Sequence, residues 1–367
     1  MADPGRARVF SSLVSVAVAL LGCFLALAAS LGDVGTAAKA FGEMALGGFG
    51  DVPRWLASGE ASAVLRPLGE SAGKASVLLL TGLSVAVAFQ VGLFNIGAQG
   101  QLMWGGLAAA YVGAGVSLPG VLHVPAALGA AALAGALWAW IPTALKLRRG
   151  VHEVISTLML NWVAVALVEN WLVVGPLKGK TGAGTDEILL SAQLPRIAGE
   201  SSRLNLGFPL ALVLAAAVAA WLYRSTHGLE TRATGLGPDA AHAAGLPVAR
   251  RTWTAMGLAG ALAGLAGAVL VLGSEFKYPG RLAAPYGFDG IAMALIGGNH
   301  PVGVAASSLF FGALRAGGTR MQLLGVHRGF PELIQGLALL LVAARLGWTW
   351  WTSRARSQAD ASEVPRA

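Results

Sequence analysis

Residues 252–272 read TWTAMGLAGALAGLAGAVLVL and carry no charged side chain. A helix rises about 1.5 Å per residue, so this stretch is as long as the ~30 Å hydrocarbon core of a bilayer is thick. Comparable apolar runs occupy residues 9–31, 75–93, 101–118, 121–145, 151–174, 206–223, 286–298, 301–317 and 331–346. The sequence therefore predicts an all-α polytopic membrane protein of about ten transmembrane helices. The shorter pair at 286–298 and 301–317 forms either two crossings or a re-entrant hairpin, so we expect some helices to be broken.

The composition also favours a membrane protein. Of the 367 residues, 55% are hydrophobic and 12% are charged, against about 25% charged in an average soluble domain. The formal net charge of +8 is spread between the apolar runs, which is typical of cytoplasmic loops and not of a nucleic-acid-binding face. The single cysteine, Cys23, excludes an intrachain disulfide, and the six histidines lack metal-ligand spacing. We therefore expect a chain that works in the lipid bilayer, without nucleic acid and without a metal site.

Basic residues at the ends of the apolar runs predict the topology. Arg6 and Arg8 place residues 1–8 in the cytoplasm, and the sequence KLRR at 146–149 marks another cytoplasmic end. A single transmembrane domain then covers 9–346, with external loops at about 32–74 and 175–206, a cytoplasmic segment at about 224–251 and a disordered cytoplasmic tail at 347–367. A short interfacial helix is expected within 52–65. Arg315, Arg320 and Arg328 are exceptions, because this topology places them outside.

Three polar clusters interrupt the apolar runs. Residues 92–101 read GLFNIGAQGQ and place the amides of Asn95, Gln99 and Gln101 among glycines, which is typical either of a broken helix near a substrate or of an ordinary loop. Glu153, Ser156, Thr157 and Asn161 share one helix face, which indicates either a polar pathway or, for Glu153, a helix cap beside Arg148 and Arg149. The third cluster, GFDG at 287–290 and GGNHP at 297–301, predicts broken backbone inside the membrane domain.

A fourth cluster lies in the cytoplasmic segment. Pro238 suits the first position of a helix, Asp239 complements the helix dipole, and Gly245 suits the helix end. This pattern predicts a short surface helix, which either docks a soluble partner or only connects two spans. On the following span, Gly257, Gly260, Gly264 and Gly267 fall on one face and predict a seam of close helix packing.

All four polar clusters resemble those of the permease subunits of bacterial ATP-binding cassette (ABC) importers for nucleosides and simple sugars, a branch related to ribose and branched-chain amino acid permeases. The resemblance runs from about residue 75 to 346 and rests on FNIGAQGQ at 94–101, VHEVISTLMLN at 151–161, the segment 235–245 and the segment 287–303. Three positions depart from the pattern of that branch: Gln99 stands for Glu, His152 for Asn and Gly237 for Asn.

The resemblance implies a function for each cluster. Gly235, Pro238, Asp239, Ala240 and Gly245 would form the coupling helix that rests on a cytoplasmic ATP-binding subunit. The chain itself would bind no cofactor, because ATP and magnesium are used by that ATPase. A second homologous permease and an external substrate-binding lipoprotein would complete the importer in the bacterial cell membrane. The expected substrate path is lined by Asn95, Gln99, Gln101, Glu153, Ser156, Thr157 and Asn161.

Two other classes of function fit less well. A stand-alone ion-coupled secondary transporter needs ionisable residues inside the membrane, and the spans offer few beyond Glu153, Glu169 and Asp289. An intramembrane enzyme needs a nucleophile with a base, or a metal constellation, and neither spacing occurs. We therefore expect a permease subunit without catalytic activity. The cargo, nucleoside or simple sugar, and the choice between a homodimer and a heterodimer of permeases stay open.

Overall fold

The computed structural model describes residues 4–180, 182–199, 202–282, 284–327, 329–341 and 344, and helices dominate them. The helices are α1 (Pro4–Leu31), α2 (Val34–Phe49), α3 (Val52–Ser58), α4 (Ser62–Gln90), α5 (Ala98–Gly115), α6 (Gly120–Arg149), α7 (Glu153–Ala164), α8 (Gly207–Arg224), α9 (Thr226–Leu236), α10 (Pro238–Ala243), α11 (Val248–Leu270), α12 (Tyr286–Ile296), α13 (Pro301–Gln322) and α14 (Phe330–Leu341). Two π-helical segments, Val165–Leu172 and Val271–Glu275, extend α7 and α11. The all-α prediction is confirmed, and the predicted tail at 347–367 lies outside the described residues.

Five segments of the described chain are both long enough and apolar enough to cross a membrane. They are Ser62–Gln90, Gly120–Arg149, Glu153–Leu172, Gly207–Arg224 and Val248–Glu275. Shorter apolar helices cover Val16–Leu31, Tyr286–Ile296 and Phe330–Leu341. Two more predicted spans, α5 and α13, are long but carry amides or arginines within the helix. The protein is a multi-pass membrane protein, and the count of about ten crossings stays a prediction.

Two helices, α4 and α11, form the centre of the bundle. Their apolar windows are 83% buried, whereas those of α6 and α8 are 28% buried. The four glycines of α11 lie at this centre. A Cβ on Gly260 or Gly264 would overlap backbone carbonyl oxygens of α6, and a Cβ on Gly267 would overlap the carbonyl oxygen of Leu102 on α5. Gly257 faces an indole instead, because its Cβ would lie 2.6 Å from Nε1 of Trp140.

The predicted external loop at 32–74 is itself mostly helical. Asp33 caps α2 by accepting hydrogen bonds from the backbone N–H groups of Gly35 (3.0 Å) and Thr36 (2.8 Å). The buried face of α2 packs against α13, where Gly48 meets the backbone of Ala313. The helix expected within 52–65 is shorter than predicted: α3 ends at Ser58, and α4 begins at Ser62. The charged residues of this segment predicted a loop, but the segment contains α2, whose small residues pack against α13.

The prediction of broken backbone in the third cluster is confirmed at 297–300, and it is wrong at 287–290, because GFDG lies within the short helix α12. Its 11 residues span about 16 Å, which is about half of the hydrocarbon core. Gly290 packs against Thr81 in α4, and Gly287 packs against Gln99 at the start of α5. The chain at 277–282 leads towards this helix without regular structure.

Two of the arginines that the predicted topology places outside, Arg315 and Arg320, have acidic partners. The Arg315 guanidinium forms a buried ion pair with Asp289, with 2.8 Å between Nη1 and Oδ2. Arg320 lies 3.8 Å from the Glu43 carboxylate. Arg328 lies outside the described residues. Since Arg315 sits within α13 and not in a loop, it carries no information about which side of the membrane is cytoplasmic.

Candidate functional site

The amides of the segment 92–101 bind one another. Asn95 is fully buried, and its Nδ2 donates to Oε1 of Gln101 at 3.0 Å. Gln101 Nε2 donates back to Oδ1 of Asn95 at 3.1 Å, and that oxygen also accepts from the backbone N–H of Gly97 at 3.1 Å. This reciprocal pair holds the turn between α4 and α5 in a fixed shape, because each amide satisfies the other.

Asn161 joins α7 to the same turn. Its Oδ1 accepts from the backbone N–H of Gly100 at 2.9 Å, and its Nδ2 donates to the carbonyl of Ile96 at 2.8 Å. Thr157 is close by, since a Cβ on Gly97 would lie 3.1 Å from the Cβ of Thr157. The structure therefore brings Asn95, Gln101, Thr157 and Asn161 together around the start of α5.

The other predicted path residues lie around this group. Gln99 turns to α12, where its Oε1 accepts from the backbone N–H of Gly287 at 2.7 Å. Glu153 forms an ion pair with Lys146, with 2.6 Å between Oε2 and Nζ. The hydroxyls of Ser156 and Thr157 donate to the carbonyl of Glu153 at 3.2 and 2.7 Å. Most of these polar groups are thus bound internally, so they shape the turn through the helix bundle.

The segment at 224–251, which the sequence predicts to be cytoplasmic, contains the helices α9 and α10. In α10 Pro238 occupies the first turn, Gly237 is the N-cap, and the helix ends at Ala243. Gly245 follows in the left-handed region at φ +81°, which glycine adopts without strain. Pro238, Asp239 and Ala240 are exposed, and Leu236 at the end of α9 is 91% exposed. These residues form one exposed surface where α9 meets α10.

Three contacts tie this segment to the membrane helices. Gly235 packs on the end of α4, because its Cβ would overlap the carbonyl oxygen of Gln90 and lie 2.9 Å from the backbone nitrogen of Gly92. The Glu230 carboxylate pairs with the buried Arg251 guanidinium of α11. Arg232 lies 4.9 Å from the ring centroid of Tyr223. A displacement of α9 therefore reaches α4 and α11 directly.

The Tyr223 ring extends this link to the third polar cluster. It stacks on His300, with 4.9 Å between ring centroids, at the start of α13. Gln90 Nε2 donates to the carbonyl of Asn299 at 3.0 Å. The sequence flagged His300 and Asn299 as part of a broken stretch, but nothing in the local pattern indicated Tyr223 or Arg232 as their neighbours.

At the opposite end of the bundle, the loop 175–206 packs on residues 276–282. The backbone N–H of Tyr278 donates to Oγ1 of Thr185 at 3.0 Å, and the backbone N–H of Leu282 donates to Oε1 of Glu169 at 3.0 Å. Burial, with the Glu169 charge as the second cause, raises the pKa of the Tyr278 phenol, so the ring stays neutral. These contacts join both loops into one surface at this end.

Residues 68–343 match the protein family described as the permease component of branched-chain amino acid transport systems. Among curated proteins, the chain is 40% identical to the guanosine ABC transporter permease protein NupP of Bacillus subtilis, over 76% of this chain and 81% of that one. It is 37% identical to the glucose ABC transporter permease protein TsgB13 of Haloferax volcanii, over 73% and 74%. It is 26% identical to a second guanosine permease protein of Bacillus subtilis, NupQ, over 75% and 89%. No solved structure matches the chain.

Proposed function

Because the chain belongs to the ABC permease family described for branched-chain amino acid transport systems, we propose that it forms one half of the path by which an importer moves a nucleoside or a simple sugar. The family match over residues 68–343 carries this proposal. ABC permeases are not themselves catalytic. The work of transport is then a switch of access between the two sides of the membrane, driven by a separate ATPase.

We propose that the ATPase docks on α10 and the end of α9. This surface combines the exposed side chains of Leu236, Asp239 and Ala240 with a direct backbone contact from Gly235 to the end of α4. ATP and magnesium are bound by the ATPase in this proposal. Closure of the ATPase would push α9, and the Gly235 contact would move the turn that Asn95, Gln101 and Asn161 hold together.

The second half of the path is a homologous but different permease. Bacillus subtilis has two guanosine permease proteins, and this chain is 40% identical to one and 26% identical to the other. The higher identity to NupP than to NupQ favours a heterodimer in which this chain takes the place of NupP. An external substrate-binding lipoprotein and a place in the bacterial cell membrane with both termini in the cytoplasm complete the proposal. A stand-alone secondary transporter is not favoured, since the relatives are ABC permeases.

The cargo is a nucleoside or a simple sugar because the names of the relatives include both guanosine and glucose. These two compounds differ in charge distribution and aromatic surface, but both contain a ring with neighbouring hydroxyl groups. In the proposal, Asn95, Gln99, Gln101, Glu153, Ser156, Thr157 and Asn161 shape the path, and the internal hydrogen bonds described above fix their positions.

Purification of the tagged chain from its own cells tests the proposal. We expect an ATP-binding subunit and a second permease to copurify and the preparation to hydrolyse ATP. Asp239→Arg reverses a charge on the exposed face of α10 and is expected to reduce the amount of bound ATPase. Glu60→Gln is the control, because Glu60 forms only an exposed ion pair with Arg54 at 3.3 Å. Purification of the chain without any ATPase, under conditions that preserve the second permease, would contradict the proposal.

A further inference from the structure

A small polar pocket lies between α4, the end of α11 and the start of α12. Its volume is about 100 Å³. Its polar lining consists of Glu70, Lys74, Arg203, Ser274, Glu275 and Tyr286. This is room for about three water molecules at ~30 Å³ each, so the pocket would hold one edge of a small ligand.

The pocket lies far from the coupling segment. Lys74 precedes Gln90 by sixteen residues on α4, which corresponds to about 24 Å along the helix. Gln90 lies at the end of α4 that meets Gly235 of the coupling segment. Since the hydrocarbon core is ~30 Å thick, the pocket is at the opposite, external end of the bundle. An imported cargo would meet it early.

The charges of the pocket cancel. Lys74 and Arg203 are basic, and Glu70 and Glu275 are acidic. Arg203 already pairs with Glu70, with 3.1 Å between Nε and Oε1. Lys74 Nζ donates to the carbonyl of Arg315 at 3.0 Å, which leaves further donors of its ammonium group. A site with no net charge and several hydrogen-bonding groups favours an uncharged polar ligand over an anion or a cation.

Tyr286 connects the pocket with a buried polar group. Its ring lines the pocket, and the Arg315 guanidinium carbon lies 5.6 Å from the ring centroid. Arg315 pairs with Asp289, whose Oδ1 accepts from Nε2 of Gln335 at 2.8 Å. Among the described residues, Nε and Nη2 of Arg315 and Oε1 of Gln335 are buried without a hydrogen-bond partner. Arg315 and Gln335 both contact Asp289, and buried polar atoms without partners call for an explanation.

We propose that this pocket is the outer binding point of the cargo and that it recognises neighbouring hydroxyl groups on an uncharged ring. A hydroxyl donates and accepts through one oxygen, so it matches the mixed donors and acceptors of Lys74, Ser274 and Glu275. Tyr286 forms the inner wall, and the unpaired atoms of Arg315 and Gln335 behind it are the next polar partners along the route. The inference rests on the proposed function and adds the chemical class that the path selects. The shared chemistry is the vicinal diol, which the ribose of a nucleoside and a free hexose both carry.

Competition during uptake tests this inference. The complete transporter is reconstituted in proteoliposomes with its binding protein, and ATP-dependent uptake of labelled guanosine is challenged with guanosine or with 2′,3′-dideoxyguanosine. A second arm repeats the measurement with labelled glucose and a deoxy analogue, which identifies whether the diol belongs to a nucleoside or to a free sugar. The wild type is expected to prefer the diol-bearing compound. Glu275→Gln is expected to reduce that preference about tenfold, since a neutral acceptor replaces a charged one. The ratio of two competitors does not depend on the amount of folded protein.

A second variant fills the pocket without removing a polar group. A Cβ on Gly73, which lines the pocket, would meet no atom within 4 Å, so Gly73→Leu is expected to fold and to reduce uptake of both cargo classes. Gly42→Leu is the matched control, because Gly42 of α2 is equally free of neighbours but lies away from the pocket. An unchanged diol preference in Glu275→Gln together with normal uptake by Gly73→Leu would overturn this inference and leave the proposed function standing. Absence of ATP-dependent uptake by the wild type in both arms would overturn the proposed function on which it rests.

Discussion

Replacement of Gly235 by alanine tests how the coupling segment reaches the membrane helices. The added Cβ would overlap the carbonyl oxygen of Gln90 and lie 2.9 Å from the nitrogen of Gly92, so the two backbones must separate. Overpacking of this kind costs about 1–3 kcal/mol, and the better helix propensity of alanine returns up to about 1 kcal/mol. The net loss of about 1 kcal/mol corresponds to a fivefold shift away from the docked arrangement.

The assay is ATP-dependent uptake and ATP hydrolysis by the same reconstituted complex. Gly235→Ala is expected to reduce the uptake rate about fivefold, while the ATPase, whose own residues are unchanged, continues to hydrolyse ATP. Gly237→Ser is the matched control. Gly237 has φ −174°, which any residue adopts, its Cβ would lie 3.7 Å from the nearest neighbour, and serine is a good N-cap for α10. If Gly235→Ala transports as well as Gly237→Ser, or is more stable than the wild type, the contact with the end of α4 does not transmit the motion.

Three further variants test other contacts. Gly264→Ala should lower the stability of the purified complex in a thermal assay by about 1–3 kcal/mol. Gly257→Ala should cost less, because its Cβ meets the side chain of Trp140 and not a backbone. Equal losses would contradict the packing described for α11. Asn161→Leu leaves a backbone N–H and a carbonyl unpaired at about 1–3 kcal/mol each, and Asn161→Asp, which keeps the acceptor, should retain part of the stability in the same thermal assay; identical losses would argue against these two bonds. Glu230→Gln weakens the pair with Arg251 by about 2 kcal/mol and should lower the cargo moved per ATP hydrolysed, and an unchanged ratio would remove this pair from the coupling route.

Features set by neighbouring residues could be predicted from the sequence. The start of α10 follows from Pro238 and Asp239, which act on the first turn of their own helix. The break in the backbone at 297–300 follows from Gly297 and Gly298, which stand in front of Pro301. The apolar runs located the helices because hydrophobic length is a property of the chain itself. Such signals need no knowledge of what lies across the bundle.

Features that depend on distant partners could not be predicted in this way. Asp289 and Arg315 lie on different helices, and the sequence gives no sign that they form an ion pair. Arg315 therefore looked like an external loop arginine that violates the positive-inside rule, although it lies within a helix. The sequence predicts a loop where α2 lies, because the small residues of α2 form a packing face only next to α13. Asn95, Gln101 and Asn161 were identified as polar residues of interest, but their mutual hydrogen bonds could not be read from spacing. The sequence left open a broken helix or an ordinary loop at this place, and the structure shows a hydrogen-bonded turn.

The most direct test of the account is the energy source of transport. Uptake of labelled guanosine and glucose is measured in cells that carry the complete transporter, after either ATP depletion or collapse of the ion gradients at constant ATP, with a strain that lacks this chain as the control. The account predicts that uptake depends on this chain, stops when ATP is depleted and continues when only the gradients are collapsed. Uptake that follows the gradients and persists without ATP would contradict the assignment of this chain to an ATP-driven importer.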